Sequence, residues 1–164
     1  MTNTKSQVLD WTLWFYWIMA TTLGWILGGT LFTGIPMLAA GVVIAGFQWT
    51  VLYRRIHKAW RWFILSALGW ITGYIFFVIF VPTQLGFLVG PIMGGILGLW
   101  QWFILKNEFE WAGWWIPISI LSWTTGLTIM PGALTSGSLP AALTGLALVI
   151  YFRYSPMKAH PSQT

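Results

Sequence analysis

Two glutamines are the strongest candidates for polar chemistry in a chain that is otherwise largely apolar. Gln48 and Gln101 stand 53 positions apart, and a tryptophan directly follows each of them. Both lie in uncharged runs, one or two turns inside the expected inner boundary, where a side-chain amide needs a hydrogen-bond partner. Such an amide has three uses: it joins neighbouring helices, it orients the polar end of a mostly apolar ligand in an inner-side cavity, or its oxygen ligates the magnesium of a pigment.

A repeated motif surrounds the glutamines. The pattern W-x3-[ST]-x2-[GS]-W-x2-G occurs three times, beginning at Trp17, Trp62 and Trp115. We call these three residues the inner tryptophans. The pattern G-x3-[AG]-x2-Q-W occurs twice, and Leu148 stands where a third glutamine would fall. A repeat of this kind predicts tandem copies of one helical unit.

The second tryptophan of each motif lies eight residues beyond the first, which is about 12 Å further along a helix. These deep tryptophans are Trp25, Trp70 and Trp123. Their indole N–H groups need acceptors away from water, and the two glutamines are the predicted acceptors. The candidate ligand site or groove therefore comprises the glutamines, the deep tryptophans and two repeated hydroxyls, namely Gln48, Gln101, Trp25, Trp70, Trp123, Ser66 and Ser119.

The small residues of the repeat share one face of each helix, because they are spaced three or four positions apart. Transmembrane helices associate by close backbone packing, which small residues permit. A sliding or gating interface is the alternative use of such a face. The predicted helix-packing residues are Gly24, Gly28, Gly69, Gly73, Gly94, Gly98 and Gly126.

The composition and the charge pattern predict the fold class. The chain is 57% hydrophobic and 7% charged, whereas soluble domains are roughly 25% charged. Nucleic-acid binding is excluded because the few cations form no basic face on a soluble fold. Three uncharged runs, 11–53, 62–105 and 111–152, separate the charged clusters. Each is long enough for two crossings of a bilayer, which need about 20 apolar residues apiece.

The sequence therefore predicts an all-α integral membrane protein in a lipid bilayer. Residues 1–164 form a single domain of six transmembrane helices, arranged as three tandem hairpins at about 11–54, 61–106 and 111–153. The spans are expected near 11–29, 36–54, 61–81, 86–106, 111–131 and 138–153. All eight Lys and Arg residues fall on the side that holds both ends of the chain. Both termini are therefore expected to be cytoplasmic.

Ionisable residues are absent from the middle of the predicted spans, and the chain has no cysteine. Proton relays and ion pathways depend on such residues within the membrane. The two histidines lie in a loop and a tail, outside every span. We predict no catalytic residue, no metal site and no enzymatic activity.

The segments "LGWITG" (68–73) and "GFQWTVLYRR" (46–55) resemble a group of small, Trp- and Gly-rich multi-pass membrane proteins of cyanobacteria and other filamentous phototrophs. The resemblance implies a bacterial plasma membrane or a thylakoid membrane, beside photosynthetic complexes. It names no particular chemistry.

Three functions are consistent with these residues. The first is binding: an accessory subunit of a membrane complex, or a binder of a lipid, isoprenoid or carotenoid. The second is a small-solute transporter component with an inner-side cavity. The third is a pigment-binding photosynthetic subunit, with carotenoid or chlorophyll as the cofactor.

Overall fold

The chain forms six long helices, which a computed structural model describes for residues 9–32 and 34–155. Shorter helical segments are the 3-10 turns Thr83–Leu88 and Ala112–Trp114 and the π-helical turn Thr125–Ile129, which continues α5. No β-strand occurs within the two described ranges, so the predicted all-α class is confirmed. The helices are α1 (Trp11–Leu31), α2 (Pro36–Leu52), α3 (Trp60–Phe80), α4 (Val89–Glu108), α5 (Trp115–Thr124) and α6 (Thr135–Tyr154).

The helix ends follow from local sequence. Asp10 caps α1, and its carboxylate accepts a hydrogen bond from the backbone N–H of Leu13 at 2.9 Å. Pro36 opens α2, where its missing N–H leaves no hydrogen bond unmade. Pro82 follows the last residues of α3 and disfavours helical backbone in the residue before it.

Within the described ranges, three helical segments are long and apolar enough to cross a membrane: Trp60–Phe80, Thr83–Glu108 and Thr135–Tyr154. Helix α2 is also apolar, but it is shorter at 17 residues. Five of these helices coincide within about three residues with the segments expected from the sequence. The fifth differs: α5 covers the middle of the expected span 111–131, and the turns Ala112–Trp114 and Thr125–Ile129 extend it at either end.

The helices form a closed ring. Each packs against its neighbour in the chain, and α6 packs against α1. The odd-numbered helices send their inner tryptophans to the middle, where Trp17, Trp62 and Trp115 are fully buried. A second, smaller core lies deeper along the helices, around Trp70 and Trp123.

An ion pair ties the start of α1 to the turn after α2. Arg55 Nη1 lies 2.6 Å from Asp10 Oδ2. Burial raises the pKa of the Asp10 carboxyl, but hydrogen bonds from Leu13 and Arg55 and the charge of Arg55 lower it more. The net pKa lies below its usual value.

We expect Asp10→Asn to lower stability at neutral pH, since asparagine retains the cap but loses the charge. A carboxyl with a lowered folded pKa contributes stability above about pH 4, its unfolded pKa, and loses that contribution as the pH falls through the folded value. Thermal unfolding of both proteins in detergent at pH 7, 3 and 2 tests this. The difference should shrink toward acid, and a difference independent of pH would contradict the role of the pair.

Candidate functional site

The inner tryptophans form an aromatic contact across the middle of the ring. The ring centroids of Trp17 and Trp62 are 5.6 Å apart at 73°, and those of Trp62 and Trp115 are 5.9 Å apart at 75°. Edge-to-face pairs at these separations are favourable because the positive edge of one ring meets the negative face of the other. Helices that are not neighbours in the ring are thereby joined at its centre.

The first glutamine links three helices. The Trp62 indole N–H on α3 donates to Gln48 Oε1 on α2 at 3.1 Å. Gln48 Nε2 in turn donates to Thr21 Oγ1 on α1 at 2.9 Å. The indole can only donate, so the amide oxygen must face it and the orientation of the amide is fixed. We call this tryptophan–glutamine–hydroxyl chain a relay.

The second glutamine makes the same relay one hairpin later. The Trp115 indole N–H donates to Gln101 Oε1 at 2.9 Å, and Gln101 Nε2 donates to Ser66 Oγ at 3.0 Å. Both glutamines are buried, with 4% and 3% of their surface exposed. The oxygen and one N–H of each amide therefore form hydrogen bonds with side chains of neighbouring helices. Of the three uses considered for these glutamines, this arrangement corresponds to the joining of helices.

The third hairpin breaks the pattern. Leu148 occupies the glutamine position of α6 and is fully buried. Trp17 donates instead to Thr144 Oγ1, one turn away on α6, at 2.9 Å. Ser119 Oγ, which matches Thr21 and Ser66 in the repeat, is buried and has no hydrogen-bond partner among residues 9–32 and 34–155. In the other two hairpins a glutamine donates to the matching hydroxyl. The Ser119 hydroxyl lacks this donor because leucine stands at the glutamine position of α6.

We expect Leu148→Gln to be tolerated, because the new amide can donate to Ser119 Oγ as Gln101 does to Ser66. The same change at Leu97, which is 2% exposed and lies in the apolar core around Trp70, should destabilise by about 1–3 kcal/mol, since the side chains of that core offer the amide apolar surroundings. Unfolding of both variants in detergent measures the difference. Equal losses at the two positions would contradict the repeat-based assignment of Ser119.

The deep tryptophans are placed differently from the expectation that they pair with the glutamines. Trp70 contacts Trp25 at 6.4 Å and Trp123 at 4.9 Å between ring centroids. The indole of Trp70 also lies directly on Gly41 of α2. The deep tryptophans therefore form a packing layer between helices.

The antiparallel hairpin explains this difference. Gln48 lies one turn before the end of α2, so it is level with the start of α3, where Trp62 stands. Trp70 is two turns further along α3 and is level with Gly41. Counting back from the turn between the two helices would have identified the correct partner.

Each predicted packing glycine lies against a neighbouring helix. A Cβ placed on any of them would come within 2.3–3.0 Å of an atom of that helix, which is as close as or closer than real Cβ atoms approach other atoms. Gly90 and Gly137, which the prediction did not single out, are equally close to Thr124 and Trp25. These two glycines occupy the same position of the repeat in α4 and α6, four residues before Gly94 and Ala141. The corresponding residue of α2 is Met37. The seven predicted glycines are Gly24, Gly28, Gly69, Gly73, Gly94, Gly98 and Gly126.

The sequence did not predict an apolar groove between α2 and α3 on the outside of the ring. Its volume is about 400 Å³. Trp49 lies in its wall, and the indole N–H of this residue is buried with no hydrogen-bond partner in the part of the chain that the structure describes. The lining residues are Val43, Gly46, Phe47, Trp49, Thr50 and Phe63.

Comparisons of the chain with protein-family models, with curated proteins and with solved structures find no match. Among residues 9–32 and 34–155, no group of three or more His, Cys, Asp or Glu side chains is placed to hold a metal ion. The functional argument therefore starts from the relays, the packing layer and the groove.

Proposed function

We propose that the chain is a non-enzymatic integral membrane protein that binds a hydrophobic ligand on its outer surface. The contrast between a filled centre and an open exterior carries this proposal. Tryptophan rings occupy the middle of the ring, and the amides of Gln48 and Gln101 are already hydrogen-bonded. The α2–α3 groove, in contrast, is open and apolar.

The same contrast disfavours the transporter and chlorophyll alternatives. An inner-side cavity for a solute needs amides that face open space, whereas Gln48 and Gln101 are nearly inaccessible. Ligation of a pigment magnesium needs a free amide oxygen, and both oxygens accept from tryptophans. A carotenoid or another apolar chain needs neither, so it remains within the proposed class.

Purification in a mild detergent, followed by mass spectrometry of the extracted small molecules, tests the proposal. We expect a hydrophobic compound to co-purify with the protein in a fixed ratio. A visible absorption spectrum identifies a carotenoid or chlorophyll directly. Protein that carries detergent alone, with neither ligand nor partner, would overturn the proposal.

We further propose that all six helices cross the bilayer and that both termini are cytoplasmic. The cations in the described ranges support this, since they lie at the ends of α2, α4 and α6 and at the start of α3, which form one end of an up-and-down ring. Reporter fusions test it: a C-terminal fusion should report a cytoplasmic position, and one in the 130–134 turn the opposite. An extracytoplasmic C-terminus would refute the six-span arrangement. These cations are Arg54, Arg55, Lys58, Arg61, Lys106 and Arg153.

A second candidate, an accessory subunit of a membrane complex, is favoured by the outer half of α3. Only 22% of the most apolar 18-residue window of this helix is buried inside the chain, against 56% for α6. Val78 and Ile79 are 59% and 66% exposed. The same purification detects a partner subunit in fixed stoichiometry, and replacement of Ile79 by serine should weaken its retention.

A further inference from the structure

The α2–α3 groove runs into a cluster of cations. Val43, Phe47 and Thr50 line it at spacings of four and three, so they share one face of α2. Arg54 comes four residues after Thr50, in the exposed turn that follows α2. The helix ends at Leu52, and the positive charge of Arg54 follows two residues later in the turn that leads to α3.

The α3 side of the groove leads to a second cation. Phe63 lines the groove, and the exposed Trp60 precedes it by three residues on the same helix face. The Arg61 guanidinium lies 5.9 Å from the ring centroid of Trp60. This separation is within the range of a cation–π contact, and both residues begin the helix that forms the α3 side of the groove.

Two further cations lie in the same turn between α2 and α3. Arg55 is paired with Asp10, so its charge is balanced within the chain. Lys58 is exposed and has a φ of 52°, a left-handed conformation that a lysine adopts at some cost. The turn keeps a cation at a position where glycine would be easier to accommodate. The mouth of the groove is consequently positive.

Trp49 adds aromatic surface to the wall of the groove. Its indole N–H is buried beneath that surface and does not reach the open space. The groove therefore offers apolar contacts along its length and positive charge at one end.

We propose that the α2–α3 groove binds an anionic glycerolipid, with one acyl chain along Phe47 and Phe63 and the negatively charged headgroup against Arg54 and Arg61. This inference rests on the proposed function, because it names the ligand class of the same outer surface. A neutral isoprenoid or a carotenoid would use the apolar wall and leave the cations without a partner. The volume of about 400 Å³ falls in the range of small-ligand sites, about 300–1,000 Å³.

Native mass spectrometry of the delipidated full chain provides the test. The probes are phosphatidylglycerol and phosphatidylcholine with identical acyl chains. We expect one phosphatidylglycerol per chain, retained on the order of tenfold more strongly than phosphatidylcholine, because each cation near a membrane surface attracts anionic lipid. Arg54→Gln combined with Arg61→Gln should abolish the preference, while inorganic phosphate should not compete for the site.

A pair of glycine variants tests the groove itself. Gly46→Leu fills the groove without displacing the backbone, since a Cβ there meets just Phe63 Cε2 at 3.9 Å. It should lose retention of both lipids. Gly29→Leu is the matched control on α1, where a Cβ meets nothing within 4 Å, and it should bind as the unmodified chain does. Circular dichroism verifies that both variants are folded.

Several results would overturn the lipid assignment. Equal retention of the two lipids would remove the role of the cations, and full retention by Gly46→Leu would remove the role of the groove. If another hydrophobic compound co-purifies instead of an anionic lipid, the inference fails while the proposed function stands. If no compound of any kind is retained, both fail.

Discussion

Truncation of Trp62 to alanine is expected to lower the free energy of unfolding by about 3–5 kcal/mol, the usual cost of removing a large buried aromatic side chain. This indole touches the rings of Trp17 and Trp115 and donates to Gln48. Its removal therefore opens a cavity at the centre of the ring and leaves a buried amide oxygen without a donor. Unfolding in detergent, followed by circular dichroism, measures the loss.

Trp62→Phe separates packing from hydrogen bonding. The phenyl ring retains most of the aromatic contact, but it has no N–H for Gln48 Oε1. We expect a loss of about 0.6–2 kcal/mol, the range of single hydrogen bonds between transmembrane helices.

Trp60 provides the control for both variants. It is the same residue type two positions earlier on α3, but it is 56% exposed. Trp60→Ala should change the free energy of unfolding by less than about 1 kcal/mol, since removal of an exposed side chain leaves no buried cavity. Similar losses at Trp60 and Trp62 would contradict the central position of Trp62.

The positions of the helices could be predicted because polar and helix-breaking residues mark their ends. The expected span 36–54 corresponds to the helix Pro36–Leu52, which begins at a proline and stops before Arg54 and Arg55. Charged residues at membrane depth are costly, so their positions confine the apolar segments between them. Helix boundaries of this kind depend on local sequence alone.

The partners of the side chains could be predicted less well, because they depend on how the helices align in space. The glutamines were correctly identified as buried groups in need of partners, yet the predicted donors lay two turns too deep. The unpaired hydroxyl of Ser119 could have been predicted from the repeat, because Leu148 replaces the glutamine that would donate to it. The groove had no such signal, because it results from the absence of a side chain at Gly46 between two helices.

The deep packing layer makes the second strong prediction. Gly41→Ala should destabilise the protein by an amount near the upper end of about 1–3 kcal/mol, the cost of overfilling a packed core. The added Cβ would come within 2.1 Å of Trp70 Cγ and 2.6 Å of Trp70 Cβ. These atoms are at the base of the side chain, so rotation of the indole cannot relieve the clash.

Gly46→Ala is the matched control on the same helix, since its Cβ would contact Phe63 alone at 3.9 Å. It should leave stability unchanged or raise it slightly, because alanine favours helix over glycine by about 1 kcal/mol. The double variant Gly41→Ala/Trp70→Ala tests the cause, as removal of the indole gives the new methyl group space. Because contacting residues show non-additive energies, Gly41→Ala should cost much less in the Trp70→Ala background, and an additive result would place the clash elsewhere.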